Sequence, residues 1–454
     1  MHDSERSPSE EPFAPSTTAP SRTPDTPPAP PVSLAAGEPG EVAPISAAER
    51  IMSVDVLRGV AVLGILVMNI QSFSMIGAAY MNPTAYGDLT GANWWVWLLS
   101  HLLADQKFMT IFSMLFGAGI VVFTSRAEAR GRRPAGLHYR RMLWLIIFGL
   151  LHAHLLWYGD ILYSYGMCGL AAYLFRRLRP RWLILIGITM LLIPFLLSLA
   201  AGWSVRYWPE QAVEENLVQW APGPDAVSEE LAAYRGSWLE QMSIRFPMLV
   251  WLQTFVFAFF IAWRAGGLML LGMALFKLGV FSAARSKAFY AVLIAVAVLV
   301  GMPVILYGVH RHLEEGWRYD YSWFYGSLFN YWASILVSLG WVGGVMLVCQ
   351  APGLRPLTRP FAAAGRMAFT NYLLQTVICT TIFYGHGLGL YGYASRVEQM
   401  LIVVAVWILQ LVLSPLWLRY FRFGPMEWLW RSLSYWRLQP MRREAEPPPA
   451  LSTA

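Results

Sequence analysis

The chain has 454 residues, of which 56% are hydrophobic and only 13% charged, and its mean hydropathy is +0.45. A water-soluble domain carries about a quarter charged residues, so an ordinary soluble fold is excluded. The net charge of +7 does not point to nucleic acid, because the arginines gather at the ends of apolar stretches, where lipid headgroups hold them.

Residues 1–47 are rich in Pro, Ser, Thr, Ala and Glu, with no apolar run and no signal-peptide pattern. They read as a disordered cytoplasmic tail. Residues 48–437 read as a membrane domain and 438–454 as a second disordered tail. Within the domain, about ten stretches are each long enough to cross a bilayer: 53–75, 105–126, 139–157, 159–176, 181–201, 247–279, 287–308, 329–349, 361–383 and 397–418. The first five fill 53–201. A polar, tryptophan-bearing segment, 202–245, reads as an extracytoplasmic cap, and 247–437 holds the remaining spans and an interfacial Trp/Arg segment. Residues 94–104 are expected as an outer interfacial helix. The long stretch 247–279 is expected as one helix interrupted at Arg264-Ala265-Gly266-Gly267.

Basic clusters recur at every second gap. They run from Arg126 to Arg141, from Arg176 to Arg181, from Lys277 to Lys287, at Arg355 and Arg359, and from Arg419 to Arg437. Cytoplasmic loops carry such an excess of Lys and Arg, so both termini are expected inside. The fold class is therefore all-α, a polytopic integral membrane protein of a bacterial-type plasma membrane.

Ionisable groups inside a membrane are costly and tend to mark function. In the first span Asp55, Arg58 and Asn69 share one helical face. Asn69 is either an interhelical hydrogen bond or a ligand for a substrate or oxyanion. The third span ends in His152, Asp160 follows at the outer turn, and Tyr165 lies beyond it. An imidazole titrates near neutrality, so His152 is the candidate general base with Asp160 orienting it. The plainer alternative is a hydrogen-bonded structural histidine. His101 and His386 are candidate substitutes. Asn371 and Gln375, four residues apart, would line one wall of a cavity. Arg264 needs an anionic partner, and Asp160 and Asp105 lie nearest in depth. Together these groups are expected to meet in one hydrated pocket beneath the outer surface. His310 and His312 read as solvated loop residues, and Cys168, Cys349 and Cys379 as packing residues at no metal-ligand spacing. Neither a metal nor a bound cofactor is expected. Phosphate loops, dinucleotide fingerprints, nucleophile elbows and zinc-protease helices are all missing from the sequence.

Several strings resemble the YeiB-like family of bacterial membrane proteins across 50–437. They are Ser53-Val54-Asp55-Val56-Leu57-Arg58-Gly59 with Met68-Asn69, Phe112-Ser113-Met114-Leu115-Phe116-Gly117, and Gly159-Asp160-Ile161-Leu162. Further along come Gly272-Met273-Ala274-Leu275, Gly365-Arg366-Met367-Ala368-Phe369-Thr370-Asn371-Tyr372 and Gly424-Pro425-Met426-Glu427-Trp428. The opening is similar, more distantly, to transmembrane acyltransferases such as heparan-α-glucosaminide N-acetyltransferase. Asp55, Arg58, Gly59 and Asn69 match that pattern.

The resemblance implies acyl transfer from a cytosolic acyl-CoA donor to a hydroxyl or amine on an extracytoplasmic small molecule, lipid or glycan. Those enzymes carry a histidine soon after the asparagine. Here none lies between Asn69 and His101, so His101, His152 or His386 would have to stand in. Asp55, Arg58, Arg264, Asn371, Gln375 and Tyr165 are the expected substrate contacts. The competing expectation is a transporter or flippase that uses the same polar groups without covalent chemistry. Besides substrate, the bilayer is the expected partner.

Overall fold

Apolar runs this long can satisfy their backbone groups in lipid only as helices or closed barrels, and here they become helices. The computed structural model describes residues 51–131 and 133–443, so the expected tails lie outside it except for 438–443. Among the described residues the structure is helical, apart from one isolated bridge between Phe421 and Arg442. The helices are α1 (Met52–Ser74), α2 (Ala78–Met81), α3 (Gly91–Leu103), α4 (Lys107–Ala129), α5 (Ala135–Leu155), α6 (Leu162–Phe175) and α7 (Pro180–Ser204). Two polar helices, α8 (Glu210–Trp220) and α9 (Pro224–Arg235), form the segment expected as a cap. Then come α10 (Trp238–Lys277), α11 (Lys287–Glu314), α12 (Tyr319–Gln350), α13 (Arg355–Arg366), α14 (Ala368–Phe383), α15 (Arg396–Tyr420) and α16 (Pro425–Tyr435).

Seven stretches are long and apolar enough to cross a membrane: α1, Gly91–Ala129, Pro180–Tyr207, α10, α11, α12 and α15. Ala368–Phe383 is a shorter apolar helix, and α6 has only 14 residues. The chain is thus an all-helical, multi-pass membrane protein. Central to it is α1, most of whose side chains are buried against α4, α13, α14 and α15.

Glycines set the closest crossings. A Cβ on Gly59 would lie 1.9 Å from the Phe361 carbonyl oxygen, and one on Gly365 would lie 1.9 Å from that of Asp55. The α1 and α13 backbones therefore touch. Gly117 and Gly272 do the same for α4 and α10, at 2.0 Å from Met269 O and 1.9 Å from Met114 O. Small residues allow such approach, which is how packing substitutes for a hydrophobic drive inside lipid.

Several expectations change here. Arg264-Ala265-Gly266-Gly267 does not break α10; the departure from α-geometry is a π-helical stretch just before it, Leu252–Ile261. Gly267 instead receives α7, where its Cβ would sit 2.7 Å from Gly187 O. The stretch 361–383 is two helices with a break at Met367. The stretch 94–104, expected as a separate helix, falls largely in α3, parted from α4 by Gln106 in the left-handed region at φ 63°. His312 is not solvated: it is buried and stacked on Trp317 at 4.5 Å. Residues 438–443 are held rather than loose, since Met441 O accepts from Arg422 N at 2.9 Å and Gln439 O from Trp428 Nε1 at 2.7 Å.

Candidate functional site

α5 ends one residue after His154, and the loop that follows turns Asp160 back toward it. Gly149 makes room for this return, because a Cβ there would lie 2.2 Å from Tyr163 N and 2.7 Å from Asp160 Oδ1. His152 Nδ1 then meets Asp160 Oδ2 at 2.7 Å, with both side chains 2% exposed. The other oxygen, Oδ1, accepts from Tyr163 N at 2.8 Å in the first turn of α6. On the far side of the ring, His152 Nε2 lies 2.9 Å from Thr376 Oγ1 on α14.

A carboxylate in its ionised form only accepts, which assigns the Nδ1 hydrogen to the Asp160 side; in the neutral imidazole Nε2 is then the acceptor facing the threonine hydroxyl. The same hydroxyl also reaches the Tyr372 carbonyl one turn back, at a longer 3.5 Å. Hydroxyl, imidazole and carboxylate thus form one hydrogen-bonded line drawn from α14, α5 and the turn between α5 and α6. Aromatic rings enclose it: Tyr372 at 5.2 Å and Trp157 at 6.4 Å from the imidazole, with Trp157 stacked on Phe73 at 4.2 Å.

The remaining expected residues separate into other groups. His101 Nδ1 lies 3.1 Å from Asp105 Oδ2, which also accepts from Asn330 Nδ2 at 2.7 Å. The fully buried Lys107 donates to Asn330 Oδ1 and to the His101 carbonyl, both at 2.6 Å. Arg264 belongs to this neighbourhood and not to His152: it donates to Tyr331 O at 3.1 Å and Ser334 Oγ at 2.9 Å, under the field of Asp105. His386 lies apart, edge-on to Tyr384 at 5.8 Å.

Asn371 and Gln375 are helix clamps. Asn371 donates to Ser414 Oγ at 3.0 Å, and Gln375 donates to Gln410 Oε1 at 3.0 Å and to Val62 O at 3.1 Å. Both are buried, so they tie α14 to α15 and α1 instead of lining a wall. Tyr165 shares a 2.7 Å hydrogen bond with Ser113 Oγ. Asp55 and Arg58 form a 2.8 Å ion pair near the start of α1. Asn69 is half-buried and makes no side-chain hydrogen bond to a described residue. Instead of one pocket, the polar groups form several clusters. A cavity of roughly 440 Å³ lies elsewhere, lined by apolar side chains such as Val56, Val60, Leu103, Trp341 and Phe361. Among the described residues no group of three or more His, Cys, Asp or Glu is placed to hold a metal.

Thr376 is the participant the sequence conceals. A threonine in an apolar helix usually bonds back to its own preceding turn, and nothing local sets this one apart.

The fold and site define a multi-pass helical membrane protein with a buried histidine–carboxylate pair at the end of its fifth helix, the imidazole also bonded to Thr376 on α14. Residues 275–437 match a family described as "Protein of unknown function (DUF418)". The chain is 33% identical over 402 residues to uncharacterized protein YeiB of Escherichia coli (strain K12), covering 85% of this chain and 96% of that protein. It is 30% identical over 428 residues to uncharacterized protein YxaH of Bacillus subtilis (strain 168), covering 88% and 97%. The chain belongs to this YeiB-like family.

Proposed function

We propose that the protein is a membrane-embedded acyltransferase, with His152 as its general base. The observation that carries the reading is the line Thr376 Oγ1–His152 Nε2, 2.9 Å, continued by His152 Nδ1–Asp160 Oδ2, 2.7 Å. A hydroxyl held on an imidazole that is itself held by a carboxylate is the arrangement that activates an alcohol nucleophile. Thr376 Oγ attacks the thioester carbonyl of an acyl-CoA-type donor while Nε2 takes its proton. The carbon–sulfur bond breaks, and the thiolate leaves with that proton. An acceptor hydroxyl or amine then gives a proton to Nε2 and attacks the threonine ester. Its acyl–oxygen bond breaks, and Thr376 recovers its hydrogen.

In this reading the chain crosses the membrane ten times, α5, α6 and α14 adding to the seven longer stretches, and both termini are cytoplasmic. The donor enters from the arginine-rich side and the acceptor from outside. Purified protein in lipid vesicles, given labelled acetyl-CoA and outer-leaflet lipids or glycans, tests it. Label should appear on the peptide carrying Thr376 and then on the acceptor. Thr376→Ser keeps the reaction and Thr376→Val loses it. Turnover by His152→Ala equal to that of the unaltered protein would remove His152 from the mechanism.

The cluster of Asp105, Lys107 and Arg264 favours a second reading, transport of a small solute, since buried charges of this kind also mark transport pathways. Uptake into vesicles that requires no acyl donor would select it.

A further inference from the structure

Near the start of α10 lies a buried cation that the acyl-transfer chemistry does not use. Arg245 is 1% exposed, and its single hydrogen bond runs from one terminal nitrogen to Ala153 O at a long 3.4 Å. Its Nε and other terminal nitrogen have no partner among the described residues. A guanidinium offers five N–H donors and keeps its charge, so buried examples are ordinarily paired with a carboxylate or other anion.

The surroundings repeat the pattern. Trp157 Nε1 and Tyr384 OH are also buried without a partner among the described residues. Gln241, one turn before Arg245 on the same helix, leaves its amide oxygen unbonded. Tyr158, Tyr234, Tyr384 and His386 all lie within electrostatic range of the guanidinium. Glu230, which shares Tyr158, Tyr234 and Tyr384 as electrostatic neighbours, accepts from Gly77 N at 2.8 Å and Tyr391 OH at 2.9 Å through Oε1, and makes no hydrogen bond to Arg245. What remains is a guanidinium and an indole that can only donate, beside a Tyr384 hydroxyl that can donate or accept and one amide oxygen.

We infer that Arg245, Trp157 and Tyr384 form a binding site for an oxyanion, the carboxylate or phosphate group of a ligand. An indole N–H can only donate and a guanidinium can only donate, so the complement is a group rich in acceptor oxygens. The Ala153 carbonyl that holds Arg245 is one residue past His152, and the Trp157 ring lies 6.4 Å from the imidazole. The assignment goes beyond acyl transfer and stands on binding alone. Two sources carry the same chemistry: the phosphate of an anionic lipid headgroup, or a small soluble anion.

The test uses the full chain in maltoside-detergent micelles, which carry neither phosphate nor carboxylate, and follows the thermal unfolding midpoint. Phosphatidylglycerol is added in one arm, and inorganic phosphate or acetate in the others. The midpoint of the unaltered protein should rise with the concentration of at least one probe. A response to phosphatidylglycerol alone assigns the headgroup; a response to phosphate or acetate assigns the soluble anion. Arg245→Met should abolish the dependence, and Tyr384→Phe should weaken it by about tenfold, the loss of one hydrogen bond to a charged group. If Arg245→Met does not fold, Tyr384→Phe and Trp157→Phe carry the comparison. A midpoint indifferent to every probe, or an equal response in all variants, overturns the site. Absence of acyl transfer in the same preparation leaves it standing.

Discussion

Asp160 carries two loads, and two substitutions separate them. Its oxygens accept from His152 Nδ1 at 2.7 Å and from Tyr163 N at 2.8 Å. A hydrogen bond to a charged group is worth about 1.5–3 kcal/mol net. Asp160→Ala removes both and strands two buried donors, so a loss of about 3–5 kcal/mol is expected. Asp160→Asn is different. Its amide oxygen can keep the Tyr163 bond, while its NH₂ now donates to Nδ1. His152 must then change tautomer, with Nε2–H donating to Thr376. Stability should fall by only about 1 kcal/mol, but Nε2 can no longer take a proton, and transfer should drop by roughly 10³–10⁴-fold. Denaturation in micelles measures the first effect, and turnover measures the second. Histidine ¹⁵N spectra report the tautomer without reference to activity. The reasoning fails if the two variants are equally stable, or if Nε2 stays unprotonated in Asp160→Asn.

Three further outcomes follow from the packing. Gly59→Ala sets a Cβ 1.9 Å from Phe361 O; overpacking of about 2–3 kcal/mol should exceed the helix-propensity gain of about 1 kcal/mol, lowering the unfolding midpoint. Glu427 accepts from Phe369 N at 2.7 Å and from Thr370 Oγ1 at 2.6 Å, capping α14 from outside that helix. Glu427→Gln should cost about 1–2 kcal/mol, again read from the midpoint, and an unchanged value would deny the cap any weight. Glu230, in the polar segment between α7 and α10, is held by burial above its ordinary pKa of 4.5. The folded protein therefore binds this proton more readily than the unfolded chain, so its contribution is most favourable below the unfolded value and declines as pH rises through the folded one. Glu230→Gln should flatten that part of the stability profile, measured by denaturation across mildly acidic pH.

The sequence carried the helical class and the long apolar helices, because apolar length is a local property. It also singled out His152 with Asp160, eight residues apart and joined by one turn. Several misreadings share a cause, a partner remote in the chain. Gly266 and Gly267 resemble a helix breaker until α7 is seen resting on Gly267, and Asn371 and Gln375 resemble cavity walls until Ser414 and Gln410 arrive opposite them. Arg264 finds Tyr331 and Ser334 some seventy residues on, with Asp105 supplying the field from far upstream.

The recurring strings divide by this standard into those that pack helices and those that hold polar groups. Gly59 with Gly365, and Gly117 with Gly272, bring backbones together, and Glu427 of the last string caps the helix that opens Ala368-Phe369-Thr370. The Asp-x-x-Arg-Gly string, which carries the likeness to acyltransferases, has a packing use of its own: Gly59 sets the crossing, and the Asp55–Arg58 pair stands beside it. Fourteen residues separate Asp55 from Asn69, about 21 Å along a helix, and neither touches the His152 line. The case for chemistry therefore rests on Thr376, His152 and Asp160. Asp55→Asn should accordingly weaken only the pair with Arg58 and leave the tautomer of His152, read from ¹⁵N spectra, as it was.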